Sequence, residues 1–384
     1  MGIKNLFKLI KTESKDSIKN IDFNNIHMRK IAIDTSIVLY QYVVAIRSRG
    51  ADLKTSEGVV TSHIYGILSK AIGLIEKGIL PVFVFDGKPP AIKQKILDNR
   101  KKIRNEAKDA LDEISDDEER IKMLKKSVVI NHQQMEECKE VLRLIGVPVI
   151  EAPEEADSQC AYLSKKKLTY GVASEDMDLL TFGTPYLLRN FSVSKKKQMI
   201  EISLKKILEG FKMTMDQFID LCILLGCDYT PTIKGIGTKK AFSFIREYKS
   251  IEGIIEEIQN KKLKRYKIPE NFNYQEARDY FKGCVNCEVD RNDLNWNRPD
   301  LEKLSEYLSK FEFDDKKIKK YSKRISNFFT LYNKRRKKIL EQKAGKRMLS
   351  KLYKVKDSNQ KGGNKSQTDS DNNSFKIGIV RNDI

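Results

Sequence analysis

The amino-acid sequence predicts an α/β fold: a central, largely parallel twisted sheet flanked by helices on both faces. Two observations carry the fold class. Short β-branched runs alternate with longer segments whose apolar residues recur at helical spacing, the pattern of strands and crossover helices. The chain has 384 residues, 40% of them hydrophobic, enough for a large core covered on both faces. A third, the acidic residues where the runs end, says where a ligand would sit.

Taken in order, "KIAID" is a strand ending at Asp34 and "LPVFVFD" one ending at Asp86. "VPVI" follows Gly146, and "TYGVAS" precedes Asp176. Between them, "IVLYQYVVAI", "SHIYGILSKAIGLIEKG", "HQQMEECKEVLRLIG" and "EEADSQCAYLSKKK" read as helices, two of them closed by Gly78 and Gly146. From 88 to about 132 the chain is highly charged and sparse in apolar residues. Composition alone favours a solvated helical hairpin. Its basic first half (Lys93, Lys95, Arg100, Lys101, Lys102, Arg104), beginning just after Asp86, favours a helical lid or arch over the strand ends. From Phe211 a helix runs to about Gly226 and a loop carries Asp228. Gly235-Ile236-Gly237 then turns into a helix beginning with Lys239 and Lys240, a backbone suited to close approach by phosphate. The expected organisation is an N-terminal region 1–104, the arch 88–132, an internal region 133–260 with the glycine-turn element at about 218–250, a helical part 261–333 and a basic, disordered tail 334–384.

The formal net charge is +20, which favours a polyanionic partner. Between Lys334 and Lys356 eleven Lys or Arg face one acid, Glu341. No stretch approaches a membrane span, no signal peptide is visible at "MGIKNLFKLI", and Leu6 stands where myristoylation wants Ser or Thr. A soluble intracellular protein is expected. Six cysteines include one CxxC, Cys284 and Cys287, without the second pair a zinc site needs. The expectation is a reducing compartment and no structural zinc.

Ligands of parallel sheets bind outside the carboxyl ends of the strands. Asp34, Asp86, Glu155, Asp157, Asp176 and Asp178 all fall at such ends, and Asp228 lies in the loop before the glycine turn. A lone Asp there is usually a helix cap. Several strand ends converging on carboxylates are hard to explain as caps alone. No histidine joins them, so the donor set suits a hard cation, Mg²⁺ or Mn²⁺. Two such ions about 3.5–4 Å apart clamp the attacking and leaving oxygens of a phosphoryl displacement, with water as nucleophile.

At "MGIKNL", "IAIDTSIVLYQ", "PVFVFDGKPP", "APEEADSQCA", "SEDMDLLTFG" and "LCILLGCDYTPTIKGIG" the chain resembles the eukaryotic and archaeal flap endonucleases of the structure-specific 5′ nuclease superfamily, from Met1 to about Phe329. The resemblance implies a PIN-like nuclease core with a helical arch and a helix–two-turn–helix element. It implies hydrolysis of a 5′ flap at its duplex junction, as in Okazaki-fragment maturation and long-patch base excision repair, with 5′–3′ exonuclease activity. It assigns Asp34, Asp86, Glu155 and Asp157 to one metal group and Asp176, Asp178 and Asp228 to a second. It selects Glu155 over Glu151 and Glu154. Lys93 and Arg100 match the pair on the scissile phosphate, and Tyr40 a residue stacking on a terminal base. Arg47 and Lys70 match positions gripping DNA near the bend, and Thr61 and Lys317 a pocket for a one-nucleotide 3′ flap. Arg104 joins the DNA contacts. Gly235, Gly237, Lys239 and Lys240 match the phosphate-binding turn, where backbone carbonyls hold K⁺. A monomer acting in the nucleus is implied, with "KRRKK" as a candidate localisation signal. Ile325, Phe328 and Phe329 fit a degenerate motif for the sliding clamp PCNA, with Ser322 at its Gln position.

Four departures stand out. Asp157 replaces a usual Glu, Lys70 replaces a usual Arg, the acidic loop around Glu57 is thinned to "KTSEGVV", and the clamp motif lacks its Gln. The alternatives are a 5′–3′ exonuclease or gap endonuclease of the same superfamily, a non-catalytic branched-DNA-binding protein, and an RNA-degrading nuclease on the same sheet.

Overall fold

A computed structural model describes residues 2–47, 52–109, 123, 127–193, 197–260, 262–263 and 265–360. In chain order these form α1 (Leu6–Glu13), β1 (Ile18–Asn20), β2 (Lys30–Asp34), α2 (Thr35–Arg47), α3 (Ser62–Glu76), β3 (Leu80–Phe85) and α4 (Gln94–Asp109). There follow α5 (His132–Leu144), β4 (Val149–Glu151), α6 (Ala156–Lys165), β5 (Gly171–Ala173), α7 (Asp178–Thr181), β6 (Tyr186–Arg189) and β7 (Ile200–Ser203). The rest is helical: α8 (Leu204–Phe211), α9 (Met215–Leu225), α10 (Thr238–Tyr248), α11 (Ile251–Gln259), α12 (Tyr274–Gly283), α13 (Leu301–Ser309) and α14 (Asp315–Gln360).

The predicted α/β sheet is present. Its strand order is β1-β7-β6-β5-β2-β3-β4. The five strands from β6 to β4 are parallel, with β7 and β1 added antiparallel at one edge. The chain winds outward from β2 through β3 to β4, then returns to lay β5 on the other side of β2. The order of winding therefore reverses between β2 and β5, the place where open α/β sheets bind ligands. All six residues of β3 and the last four of β2 are buried, as strands covered on both faces must be. Strands from regions 1–104 and 133–260 interleave in one sheet, so these regions share a core.

Gly78 and Gly146 take φ of 73° and 81° just past α3 and α5, the left-handed backbone that ends a helix. Of the charged segment 88–132, α4 covers the basic half, and 110–122 lie outside the described residues.

Two compact units separate at Ile325 and Ser326. The first holds the sheet and its covering helices. The second contains most of α14, which begins within the helical part and runs into the segment where a disordered tail from 334 was expected. The helix continues to Gln360, and 361–384 lie outside the described residues. From 315 to 360 there is no proline and one glycine, Gly345, and the run is rich in Lys and Arg. Lys and Arg are good helix formers, so the run to Gln360 has high helix propensity.

Candidate active site at the strand ends

The sheet delivers the carboxylates to one edge. Asp34 is the last residue of β2, Asp86 follows β3, and Glu155 and Asp157 bracket the start of α6 after β4. Asp176 and Asp178 follow β5. Part of their role is capping. An Asp34 Oδ1 accepts from the Ile37 N–H at 3.3 Å and an Asp86 Oδ1 from the Ala156 N–H at 2.8 Å, while Ser36 Oγ donates to the other Asp86 oxygen. Asp176 Oδ1 accepts from the Asp178 N–H at 3.0 Å.

Capping does not account for the rest. Asp34, Glu155, Asp176 and Asp178 are all buried. Asp157 Oδ1 and Asp178 Oδ1 are buried with no hydrogen-bond partner. Burial, with the neighbouring Asp86 charge, raises the Asp34 carboxyl well above the usual range. Burial also raises Asp157, beside Asp34 and Asp176, and Asp178, beside Asp176 and Asp228. An unpaired buried carboxylate costs several kcal/mol, roughly, so this arrangement is unfavourable without compensating positive charge.

Two cations supply part of that charge. Lys93, immediately before α4, donates to Glu155 Oε1, and Arg100 on α4 donates to Asp228 Oδ2. Burial works against the Lys93 charge, but Glu155 outweighs it and holds the ammonium above the ordinary lysine range. The base of α4 therefore leans over the acids.

The donor set fits hard divalent cations. It is all oxygen, and two of its oxygens are buried and unpartnered. Among the described residues no group of three or more His, Cys, Asp or Glu side chains is placed, as it stands, to hold a metal ion. Glu155 and Asp228 are instead held by Lys93 and Arg100.

Three residues at this edge were not among the site residues named from the sequence. A Cβ at Gly2 would collide with the carboxylate oxygens of Asp176 and Asp178, so the N-terminal segment enters the cluster only as glycine. Tyr229 and Tyr280 donate to Glu155 Oε2 at 2.6 and 3.2 Å. Tyr229 is next to Asp228, but Tyr280 lies in the helical part 261–333, far from the strand ends in sequence.

The residues matched to DNA contacts divide. Tyr40 is exposed on α2, Arg104 is half-buried on α4, and Lys239 is exposed at the start of α10. Gly235 has φ of 86°, and Gly237 is the N-cap of α10. Lys240 Nζ lies 5.5 Å from the Tyr266 ring centroid. Arg47 pairs with both oxygens of Asp52, at 2.9 and 3.0 Å. Lys317 Nζ reaches Tyr65 Oη at 3.5 Å, one turn into α3 from its N-cap Thr61, so these two matched residues meet at one helix start.

Three of the matches fall on buried side chains. Lys70 is 7% exposed, and its ammonium donates to the Phe191 carbonyl, so it does not stand out as a surface grip. Burial lowers its pKa to about 8. It borders a cleft of about 840 Å³ shared with Gln41, Tyr42, Glu175 and Lys197, on the α2 side of the strand ends. Thr61 is 2% exposed, so its hydroxyl does not line an open pocket. Of the clamp-motif residues, Ile325 and Phe328 are buried and Phe329 is half-buried, because α14 winds through them as a regular helix.

Comparison with known proteins agrees with the resemblance drawn from the sequence motifs. The XPG N-terminal domain matches residues 1–107 and the XPG I-region matches 146–228. The chain is 44% identical to flap endonuclease 1 of Naegleria gruberi over 335 residues, covering 85% of this chain and 86% of that one. It is 46% identical to flap endonuclease 1-A of Oryza sativa subsp. japonica over 316 residues, covering 81% and 82%. Among solved structures, the flap endonuclease-1 of Methanococcus jannaschii aligns at a TM-score of 0.62 and 29% identity, covering 82% of this chain and 97% of that one. The catalytic core of Rad2 in complex with DNA substrate shares the fold, at a TM-score of 0.61 and 24% identity over 83% and 98%. With its carboxylate-edged parallel sheet and relatives of this likeness over most of its length, the chain belongs to the flap endonuclease family of structure-specific nucleases.

Proposed function

We propose that this flap endonuclease cuts the phosphodiester at the base of 5′ DNA flaps with two Mg²⁺ ions, which Mn²⁺ replaces. The observation that carries the reading is the buried, unpartnered carboxylate oxygen on each of Asp157 and Asp178, beneath the cations at the base of α4. Asp34, Asp86, Glu155 and Asp157 would hold one ion and Asp176, Asp178 and Asp228 the other. When bound, the ions supply an activated water and neutralise charge on the leaving oxygen.

The chain's own groups position the phosphate. Lys93 and Arg100 leave their carboxylates and turn to the scissile phosphate, where fixed positive charge favours the transition state over the ground state. Tyr40 offers a ring face for a terminal base. Lys239, Lys240 and the backbone N–H groups after Gly235 and Gly237 grip the duplex phosphates without reading sequence, with K⁺ at the turn. The reading extends to Okazaki-fragment maturation and long-patch repair by a monomer in the nucleus. A PCNA contact through Ile325, Phe328 and Phe329 requires buried side chains to leave their packing. Branched DNA is therefore the partner this geometry favours.

The test is cleavage of a labelled double-flap DNA, mapped to the nucleotide, with recessed-end and RNA-flap controls. A single Mg²⁺-dependent cut beside the junction is expected, and Asp178→Ala should abolish it while flap binding persists. Near-normal cleavage by Asp178→Ala in saturating Mg²⁺ would remove the metal assignment. Processive release from a recessed end would favour the exonuclease alternative.

A further inference from the structure

Glu155 is held on both of its oxygens. Oε1 accepts from Lys93 on the side of α4. Oε2 accepts from two phenol hydroxyls, Tyr229 at 2.6 Å and Tyr280 at 3.2 Å. The two tyrosines come from separate elements: Tyr229 from the loop after α9, and Tyr280 from the middle of α12. Their rings are fixed in an aromatic wall. Tyr229 and Tyr280 pack with centroids 4.9 Å apart, Tyr280 meets Phe182 edge-on at 5.9 Å, and Tyr229 meets Phe281 edge-on at 5.1 Å. A hydroxyl on a ring packed this way has little freedom except rotation of its proton.

The consequence is directional. A glutamate has three rotatable bonds, and a buried one with both oxygens free would sample several orientations. With Oε2 saturated by two donors, Oε1 is left to the Lys93 ammonium. Its present partner, Lys93, is also the residue matched to the scissile phosphate, so that bond is exchangeable and the tyrosine bonds are not.

We propose that Tyr280 is a positioning residue: with Tyr229 it locks Glu155 so that a single oxygen is presented for transfer from Lys93 to a divalent cation, and in this way it sets the cation affinity of the site. The inference rests on the reading of Glu155 as a metal-site acid. Groups that orient ligands in this way typically control affinity by about 10-fold or more.

Tyr280→Phe removes the hydroxyl and keeps the ring. Calorimetric titration of Ca²⁺ into the full chain, without DNA, should show affinity reduced about 10-fold. The Mg²⁺ concentration for half-maximal single-turnover cleavage should rise by the same factor, with the rate at saturating Mg²⁺ near that of the parent chain. Tyr280→Leu separates packing from positioning: loss of the ring lowers the melting temperature, which the Phe variant should retain. A folded Tyr280→Phe protein with unchanged Ca²⁺ affinity and Mg²⁺ dependence overturns the inference. Glu155→Gln distinguishes the two levels. If it leaves cation binding and cleavage intact, the metal-site reading of Glu155 fails. If it abolishes them while Tyr280→Phe has no effect, only the role of Tyr280 fails.

Discussion

Replacing Lys70 with methionine should stabilise the protein at neutral pH and do little for it at pH 10. Lys70 sits on α3, 7% exposed, with its ammonium on the Phe191 carbonyl. Burial lowers its pKa from 10.5 to about 8, partly countered by Glu175. The sign follows from proton counting. Between these two values the unfolded chain holds a proton that the folded chain has released, so stability rises with pH across that window. Below it the penalty is complete. At about 1.4 kcal/mol per pKa unit, the difference corresponds to roughly 3 kcal/mol of destabilisation at pH 7. Methionine fills similar volume but forfeits the hydrogen bond, about 1 kcal/mol in the other direction. The net expectation is a gain of about 2 kcal/mol at pH 7 that shrinks to about zero by pH 10. Urea unfolding of both proteins at the two pH values reads it directly. A Lys70→Met protein less stable than its parent at pH 7, or a pH-independent difference, would refute the reasoning. If the variant is instead chiefly impaired in DNA binding, Lys70 leaves its pocket to reach phosphate and the family assignment stands.

Two further substitutions separate chemistry from scaffold. Lys93→Ala should slow single-turnover cleavage by about 100-fold or more, as loss of a transition-state donor does, while weakening flap binding far less; equal losses in both would mean that Lys93 only positions DNA. Arg278→Leu should lower the urea midpoint by an amount equivalent to about 3 kcal/mol, because Arg278 neutralises buried Asp220 through two bonds of 2.7 and 2.8 Å and also ties in Glu252 at 2.7 and 2.9 Å; an unchanged midpoint would show Asp220 stable without its partner.

What the sequence disclosed follows from how each element is held. Strands β2, β3 and β5 were legible because they lie inside the sheet, and burial on both faces demands runs such as "KIAID" and "LPVFVFD"; β4, at the edge, was legible from the apolar run "VPVI" after Gly146. Strands β1, β6 and β7 were not. β1 is three residues with one half-buried and two exposed, and it is a strand because Ile18 to Asn20 pair with Ile202 to Ile200. Nothing local to "IKN" contains that pairing. The length of α14 was not read from the sequence, because the Lys-, Asn-, Ser- and Gly-rich composition after Asn333 reads as a disordered tail. Lys70 could have been placed from its own helix: α3 has no acidic residue in its first turn and is buried nearly all round, which leaves a lysine in its middle no solvent face.

The site divides in the same way. Carboxylates stand out in a sequence because burial of like charges needs a reason, and the strand ends supplied the geometry. Tyr229 and Tyr280 do not stand out, because an aromatic residue at helical spacing is ordinarily core, and both are indeed packed among other rings. Their function lies in one oxygen atom each, aimed at a glutamate that is 74 and 125 residues away. The cations at the base of α4 were legible as a basic run, but their partners were not. Lys93 and Arg100 pair with Glu155 and Asp228, so in the folded chain they already compensate the charge that makes the cluster costly. On the proposed reading, a divalent charge that took over Glu155 or Asp228 would leave Lys93 or Arg100 more of its donors for a phosphate. A cluster that looks in sequence like unrelieved repulsion is, in the fold, relieved in part by two basic side chains.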